Sequence, residues 1–444
     1  MLARGGPGAP ATAEFALCTD GPLASDLRAE RVAVHVVGEA RLREPASVRR
    51  ARGSLTKLLQ SRTYDVVVCH SAAPHAVFAP AVRAAGVPLV HFMHDVPHRG
   101  SWLDLWAHRA PPDLVLCSGA LTREAGRWLF GPVPRRVVVP WVDRDHLPSH
   151  RASRSDVRAS LETGSDAVVI LQASRMKESK GHRLLLGALA RIASDPRWVC
   201  WIAGRADGAA EGAYEADLRR RARRSGLADR IRFVGFERDM PSLMSAADVL
   251  CRPSVRSEPS AMALVEALAS GLPVVATRLG AAIELVTPAC GRLVDASPAA
   301  LARALSTLVG DGDERARLAR GGPPRAGEIG EPEQRVNDLA TTLARVVPCR
   351  MSHFVDGPSQ IRAEGGDRRP AHSLSSDDSL GRGEPLGASV SSTSAARSGE
   401  ARVLHIHSGN LQGGVETYLR TLAQSASLCP GLSMEFALCF ERRL

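Results

Sequence analysis

Apolar runs of four to six residues, recurring along residues 14 to 310 and separated by helical stretches, constrain this chain more than any other feature. Runs this short suit parallel strands buried on both faces, and parallel strands need crossover helices to join them. A first set falls at 14–18 (EFALC), 32–37 (VAVHVV), 65–69 (DVVVC), 88–92 (PLVHF), 113–117 (DLVLC) and 136–139. A second set falls at 167–172 (AVVILQ), 198–203 (WVCWIA), 231–234 (IRFV), 248–251 (DVLC), 273–276 (PVVA) and 291–295, with helical stretches at 181–194, 212–225, 260–270 and 299–309. The expected class is α/β, with two Rossmann-like, doubly wound parallel-sheet domains over 14–145 and 146–348. A chain of 444 residues has room for two such cores and a linker.

Between 349 and 400 the composition turns to Ser, Gly, Asp, Arg and Pro with few bulky apolar residues. Such a stretch buries too little surface to offset its ordering entropy, so a disordered linker is expected there. A strand (RVLHIHS), a glycine loop (GNLQGG), a helix (VETYLRTLAQSA) and a strand (MEFALCF) are then read over 401–444. The last strand repeats the start of the chain, because EFALC at 435–439 is EFALC at 14–18. The 401–444 segment is therefore expected to be a permuted β-α-β unit that completes the first domain, in a chain either circularly permuted or cut from a tandem duplication. A flexible linker of about 50 residues reaches roughly 40 Å, the width of a domain. Exchange of the segment between two chains is equally within reach.

No apolar run approaches the roughly 18 residues that span a bilayer, and the opening MLARGGPGAPATA lacks the apolar core of a secretory signal. A cytoplasmic protein is expected, with peripheral contact at a membrane left open. The nine cysteines show no CxxC or CxxH spacing, so neither a zinc site nor a disulfide framework is indicated. Cys18, Cys69, Cys117, Cys200 and Cys251 sit at or near the ends of apolar runs, where cysteine packs as a small hydrophobe. The net charge is +10, but much of the arginine excess is spread along helical stretches such as LRRRARRSG at 218–226. No basic segment is interleaved with aromatic residues, so nucleic acid is not expected as a partner. An anionic acceptor or acidic lipid would still be attracted to such a surface.

Four local patterns could carry chemistry. Arg175 and Lys180 lie five apart in ASRMKESKGH, directly after a strand, where both can point at one anion beyond the strand's carboxyl end; a pair of solvated cations is the plainer reading of that spacing. Glu258 and Glu266, eight apart in SEPSAMALVEALASGLPVVAT, put one carboxylate in a loop and another in the helix that follows. Carboxylates so placed can accept hydrogen bonds from the vicinal hydroxyls of a sugar and a ribose, or serve only as a loop acid and a helix-capping acid. Gly413 and Gly414, between strand and helix in HSGNLQGGVE, allow close backbone approach to a phosphate. His94 and His70 end neighbouring strands of the first domain, His94 towards the expected cleft, and His91 within its strand is read as structural.

Together these segments resemble family 4 of the retaining glycosyltransferases, of GT-B fold, over most of 14–347 and, in permuted order, 401–444. EPSAMALVEALASGLPVVAT is similar to the family's E-x7-E stretch, SRMKESKGH to its R-x4-K phosphate motif, VPWVD to a shortened interdomain PNGVD turn, and HIHSGNLQGGVE to its opening glycine loop. The resemblance implies that Arg175 and Lys180 bind a donor diphosphate and stabilise its leaving charge. Glu258 would hold hydroxyls of the transferred sugar, Glu266 the ribose, and Gly413 and Gly414 the diphosphate through their amides. His94 would contact donor sugar or acceptor hydroxyl. The implied reaction moves a hexose-type sugar from a nucleotide diphosphate donor to a glycan, lipid or small-molecule hydroxyl, by front-face attack with retention. It needs no metal and no cofactor beyond the nucleotide-sugar substrate. Ser260-Ala261 stands where the family has Phe-Gly, and Gly280-Ala281 where it has Gly-Gly. A methyl at a close backbone approach is expected to alter donor choice or weaken activity, and the alternative is a weakened or inactive nucleotide-sugar binder from a broken duplication.

Overall fold

The computed structural model describes residues 14–17, 20, 25, 28–29, 33–139, 141–142, 153–235, 239–259, 262–346, 401–407 and 432–438. The expected linker at 349–400, the helix after the tail's glycine loop, Gly413, Gly414, Ser260 and Ala261 lie outside those residues. Two all-parallel sheets form, one of eight strands and one of six.

The rear lobe runs β7 (Val168–Ala173), α6 (His182–Arg191), β8 (Trp198–Ala203), α7 (Ala209–Arg224), β9 (Ile231–Gly235), α8 (Met240–Ala246), β10 (Val249–Arg252), α9 (Met262–Ala269), β11 (Val274–Thr277), α10 (Ala281–Leu285) and β12 (Gly291–Val294). Before them comes α5 (Arg154–Ser160), and after them α11 (Pro298–Gly310), α12 (Gly312–Ile329) and α13 (Pro332–Ala344). Its strands stand in the order β12-β11-β10-β7-β8-β9. Successive side chains of a strand alternate between faces, so one apolar run supplies two cores. Val168 and Ile170 join Leu185 and Leu189 of α6 and Leu301 and Leu305 of α11 on one face. Val169 and Leu171 join Leu243 of α8 and Leu264 and Leu268 of α9 on the other. Helix starts are set locally: Ser153, Asp239, Ser297 and Asp311 each accept a hydrogen bond from a backbone amide of the first turn.

In the front lobe β1 (Glu14–Leu17), β2 (Ala33–Val36), β3 (Val66–His70), β4 (Leu89–Met93), β5 (Leu114–Cys117) and β6 (Arg135–Val137) are joined by β13 (Ala401–His407) and β14 (Leu432–Leu438) from the tail. The order is β2-β1-β14-β13-β3-β4-β5-β6. Leu404 and Ile406 of β13 sit in one core with Val67 and Cys69 of β3 and with Leu55 and Phe78 of α1 (Pro45–Ser61) and α2 (Ala72–Ala84). The two EFAL copies do not occupy one place; β1 and β14 lie side by side, parallel, with Glu14 opposite Glu435 and Leu17 opposite Leu438.

The strand expectations agree with these bounds to within one or two residues. Cys69, Cys117, Cys200 and Cys251 are buried free thiols, as is Cys290; Cys18 lies outside the described residues. The arginine-rich run on α7 is a solvated face, with Arg219 on Glu215 and Arg221 on Asp217, each pair 2.8 Å apart and one turn removed.

Candidate functional site

Where the strand order of an open α/β sheet reverses, two neighbouring connections leave in opposite directions and open a crevice at the carboxyl ends. In the rear lobe that reversal lies between β7 and β10. Arg175 follows the end of β7, Lys180 closes a single 3-10 turn at Glu178–Lys180, and Arg252 is the last residue of β10. Glu258 enters this crevice. Its Oε1 lies 2.6 Å from Lys180 Nζ, and its Oε2 accepts from the Arg252 guanidinium. All three are largely buried, the side chains of Glu258, Arg252 and Lys180 keeping 14%, 12% and 21% of their accessible surface.

Burial alone would push the Glu258 carboxyl towards its neutral form. The Arg252 and Lys180 charges outweigh it and hold the group below the ordinary glutamate range. Burial is likewise the largest influence on Lys180; with the like charges of Arg252 and Arg175 it draws the amine downward against the pull of Glu258. The arrangement remains an ionised carboxylate between cations at neutral pH. Arg175, half-buried, has no acidic partner among the described residues. Its neighbour His182, at the start of α6, is buried and pushed down to about 4 by desolvation.

Backbone packing fixes this cluster at two glycines. Gly181 has φ +75°, and a Cβ there would meet the Pro253 carbonyl oxygen at 1.6 Å, so the turn after Lys180 can lie against the loop after β10 only without a side chain. Gly280 has φ +56°, and a Cβ would come within 2.3 Å of the Glu258 carbonyl oxygen. The next residue, Ala281, donates its amide to that same oxygen at 2.8 Å. Its side chain packs into the rear core with Leu264 and Leu285. Of this pair, the position whose own backbone requires glycine is Gly280, and the chain has it. Glu266 sits half-buried on α9, eight residues beyond Glu258.

The front lobe reaches this cluster at Gly119, before α4 (Ala120–Phe130), where a Cβ would lie 3.0 Å from the Pro259 carbonyl oxygen. His94 belongs to a different grouping. It is buried, and its Nε2 is 2.9 Å from His70 Nδ1, while His70 Nε2 is 2.9 Å from His405 Nδ1 on β13. Phe92 stacks on His94 with ring centroids 4.2 Å apart. His91 is buried edge-on to His75 at 4.8 Å, in keeping with a structural part. The structure thus unites Arg175, Lys180 and Glu258 and places His94 in a histidine chain shared with the tail. Arg252 was missed by the sequence reading; its only trace there is an arginine at the end of an apolar run, in CRPSVRSEP. No cluster of three or more His, Cys, Asp or Glu side chains suited to a metal occurs among the described residues.

With this geometry in place, family models match both lobes. Residues 153–324 match "Glycosyl transferases group 1" and residues 3–146 match "Glycosyltransferase Family 4". The chain belongs to the group 1 glycosyltransferase family. It is 40% identical over 114 residues to the lipopolysaccharide core biosynthesis mannosyltransferase LpsB of Rhizobium meliloti, a match covering 26% of this chain and 32% of that protein. To a D-inositol 3-phosphate glycosyltransferase of Xylanimonas cellulosilytica it is 32% identical over 282 residues, covering 58% and 66%. The chain spans between about a third and two thirds of the length of these relatives. Anabaena Alr3699/HepE, solved with UDP-glucose, superposes with a TM-score of 0.66 at 25% identity, over 74% of this chain and 91% of that one. The fold of this glycosyltransferase-family chain is GT-B, as expected from the sequence.

Proposed function

We propose that this chain transfers a hexose-type sugar from a nucleotide diphosphate donor to an acceptor hydroxyl, with retention and without a metal. The observation that carries the reading is the convergence of Arg175, Lys180 and Glu258 at the switch point of the rear sheet. Two cations there suit a diphosphate, and a carboxylate beside them suits the hydroxyls of the sugar attached to it. In a cleft poor in water, fixed positive charge stabilises a leaving diphosphate far more than it would in bulk solvent. The leaving phosphate oxygen takes the acceptor's proton in a front-face displacement: the acceptor oxygen bonds to the anomeric carbon as the bond to phosphate breaks. HepE's complexes with UDP and UDP-glucose support a uridine donor, and the relatives named as mannosyltransferases support a mannose one. Glu266 serves the ribose, Gly413 and Gly414 the diphosphate, and His94 the sugar or acceptor.

Labelled UDP- and GDP-sugars, followed by mass spectrometry for consumption and transfer, test the reading. Turnover of one donor, abolished by Arg175→Ala and by Glu258→Ala, is expected. Binding of a donor with no turnover under any acceptor favours the weakened binder instead, for which the Ser260-Ala261 replacement of Phe-Gly is the supporting observation.

The tail acts as the displaced first unit of the front domain, in a permuted or duplicated chain. Its support is β13 seated between β14 and β3, in register with both. The acceptor is reached at a membrane surface from the cytoplasmic side. No helix among the described residues is long and apolar enough to cross a bilayer. Trp102 and Leu105 on α3 (Trp102–His108) are each more than half exposed, beside the exposed Arg99 and Arg109. Exposed indole and leucine among arginines suit the headgroup region of acidic lipid. Flotation with phosphatidylglycerol vesicles, lost in the Trp102→Ala/Leu105→Ala double variant and absent with phosphatidylcholine, is the expected result.

A further inference from the structure

The two oxygens of Glu258 are held by different cations with different freedom. Oε1 is held by Lys180, at the tip of a one-turn helix and the more exposed of the pair. Oε2 is held by Arg252, whose backbone is locked in the β10–β11 ladder opposite Ala276. The other end of its guanidinium reaches towards the Ala173 carbonyl at 3.5 Å. In the chain as it stands, the Glu258 carboxylate bridges Lys180 and Arg252.

We propose that Arg252 is a positioning residue that works by partner exchange: the donor diphosphate draws Lys180 away from Glu258, while Arg252 keeps the carboxylate in place so that the freed Oε1 accepts from the sugar hydroxyls. This rests on the glycosyltransferase reading and adds a residue outside the R-x4-K and E-x7-E patterns. It divides the cations by task, with Lys180 and Arg175 for the phosphates and Arg252 for the carboxylate. Arg252 therefore acts on the sugar through Glu258 and leaves nucleotide affinity to the others.

The test sets Arg252→Met and Arg252→Lys against Lys180→Met in the full chain. Donor kcat and KM are measured for each, with nucleoside diphosphate affinity by calorimetry. Arg252→Met is expected to lower kcat about 100-fold, the scale of losing one oriented electrostatic contact, with donor KM and nucleoside diphosphate Kd within about threefold of the parent. Arg252→Lys is expected to recover part of the kcat, and Lys180→Met to weaken nucleoside diphosphate binding by about tenfold or more. Should Arg252→Met weaken nucleoside diphosphate binding as much as Lys180→Met does, Arg252 is a phosphate ligand and the exchange is wrong. An unchanged kcat in Arg252→Met, with the parent turning over, overturns the proposal and leaves the glycosyltransferase reading intact. A parent that turns over no donor removes both. Thermal melts keep misfolding apart from function, and if Arg252→Met does not fold, the Arg252→Lys split between kcat and KM decides.

Discussion

The rear-lobe crevice and the front-lobe histidine chain are both buried polar clusters, but they are assembled in opposite ways. Arg175, Lys180, Arg252 and Glu258 come from two neighbouring connections of one sheet, within a stretch the chain completes in a single pass. The His94–His70–His405 chain joins partners up to 335 residues apart and needs the tail strand to exist at all. Within one connection, as with Arg175 and Lys180, spacing along the chain fixes spacing in space and leaves a motif; the contact between connections, Lys180 with Glu258, does not. A site built across distant strands carries none.

The largest expected effect separates the lobes. Removing 401–444 takes β13 and β14 out of the middle of the front sheet and leaves β3 with an open edge against β1 and β2. Hydrogen exchange is expected to show loss of protection across the front lobe and retention in the rear, with sugar transfer lost. A front lobe that keeps its protection would end the distinction.

Next in size is Gly280→Ala, which strikes the rear crevice alone. The left-handed backbone and the close Glu258 carbonyl make the added methyl cost about 1–3 kcal/mol. The melting temperature is expected to fall by a few degrees, at roughly 2–4 °C per kcal/mol, with turnover falling far more because Glu258 is displaced.

Acid should then weaken the front lobe before the rear. Burial depresses His75 to about 4 and carries His91 and His405 well below the ordinary histidine range, whereas His182 is the one such histidine among the described residues of the rear lobe. A depressed folded value means the unfolded chain binds the proton more readily. Stability is therefore complete above the unfolded histidine value near about 6.5 and is lost as pH falls through the folded values. His75 alone is worth roughly 3 kcal/mol across that window. Lobe-resolved exchange at pH 7.5 and pH 5 should show the front lobe losing more, and equal losses would contradict the assignment. Smallest of all, Ala281→Gly should leave donor preference within about twofold, since the methyl it removes faces the core; its cost is that of a glycine in a helix, up to about 1 kcal/mol.

The sequence was most legible where composition and geometry share a period. The alternation that makes Val168 and Val169 face opposite cores also makes β7 visible as an apolar run, so twelve strands could be read from the main body of the chain. Arg175, Lys180 and Glu258 were singled out through the resemblance of their segments to the R-x4-K and E-x7-E patterns, spacing alone leaving Arg175 and Lys180 a pair of solvated cations. Arg252 was not, because an arginine closing an apolar run differs from a solvated one only when β7 is known to lie beside β10. The His70–His405 contact was invisible for the same reason: register across a sheet is not written in either strand alone. The repeat of EFAL was seen, but its outcome depended on whether the ladder has room for both copies, and that is a property of the neighbouring edges.

Placing β13 beside β3 has a consequence for how the molecule is made. On the ribosome, His70 emerges long before His405, and at common rates of synthesis the gap lasts on the order of tens of seconds. During that interval the rear lobe can condense to completion while the front half waits with a bare strand edge. Nascent chains on a crowded message would meet at that edge, so expression yield should respond to translation speed and chaperone supply more than the finished protein's stability would suggest.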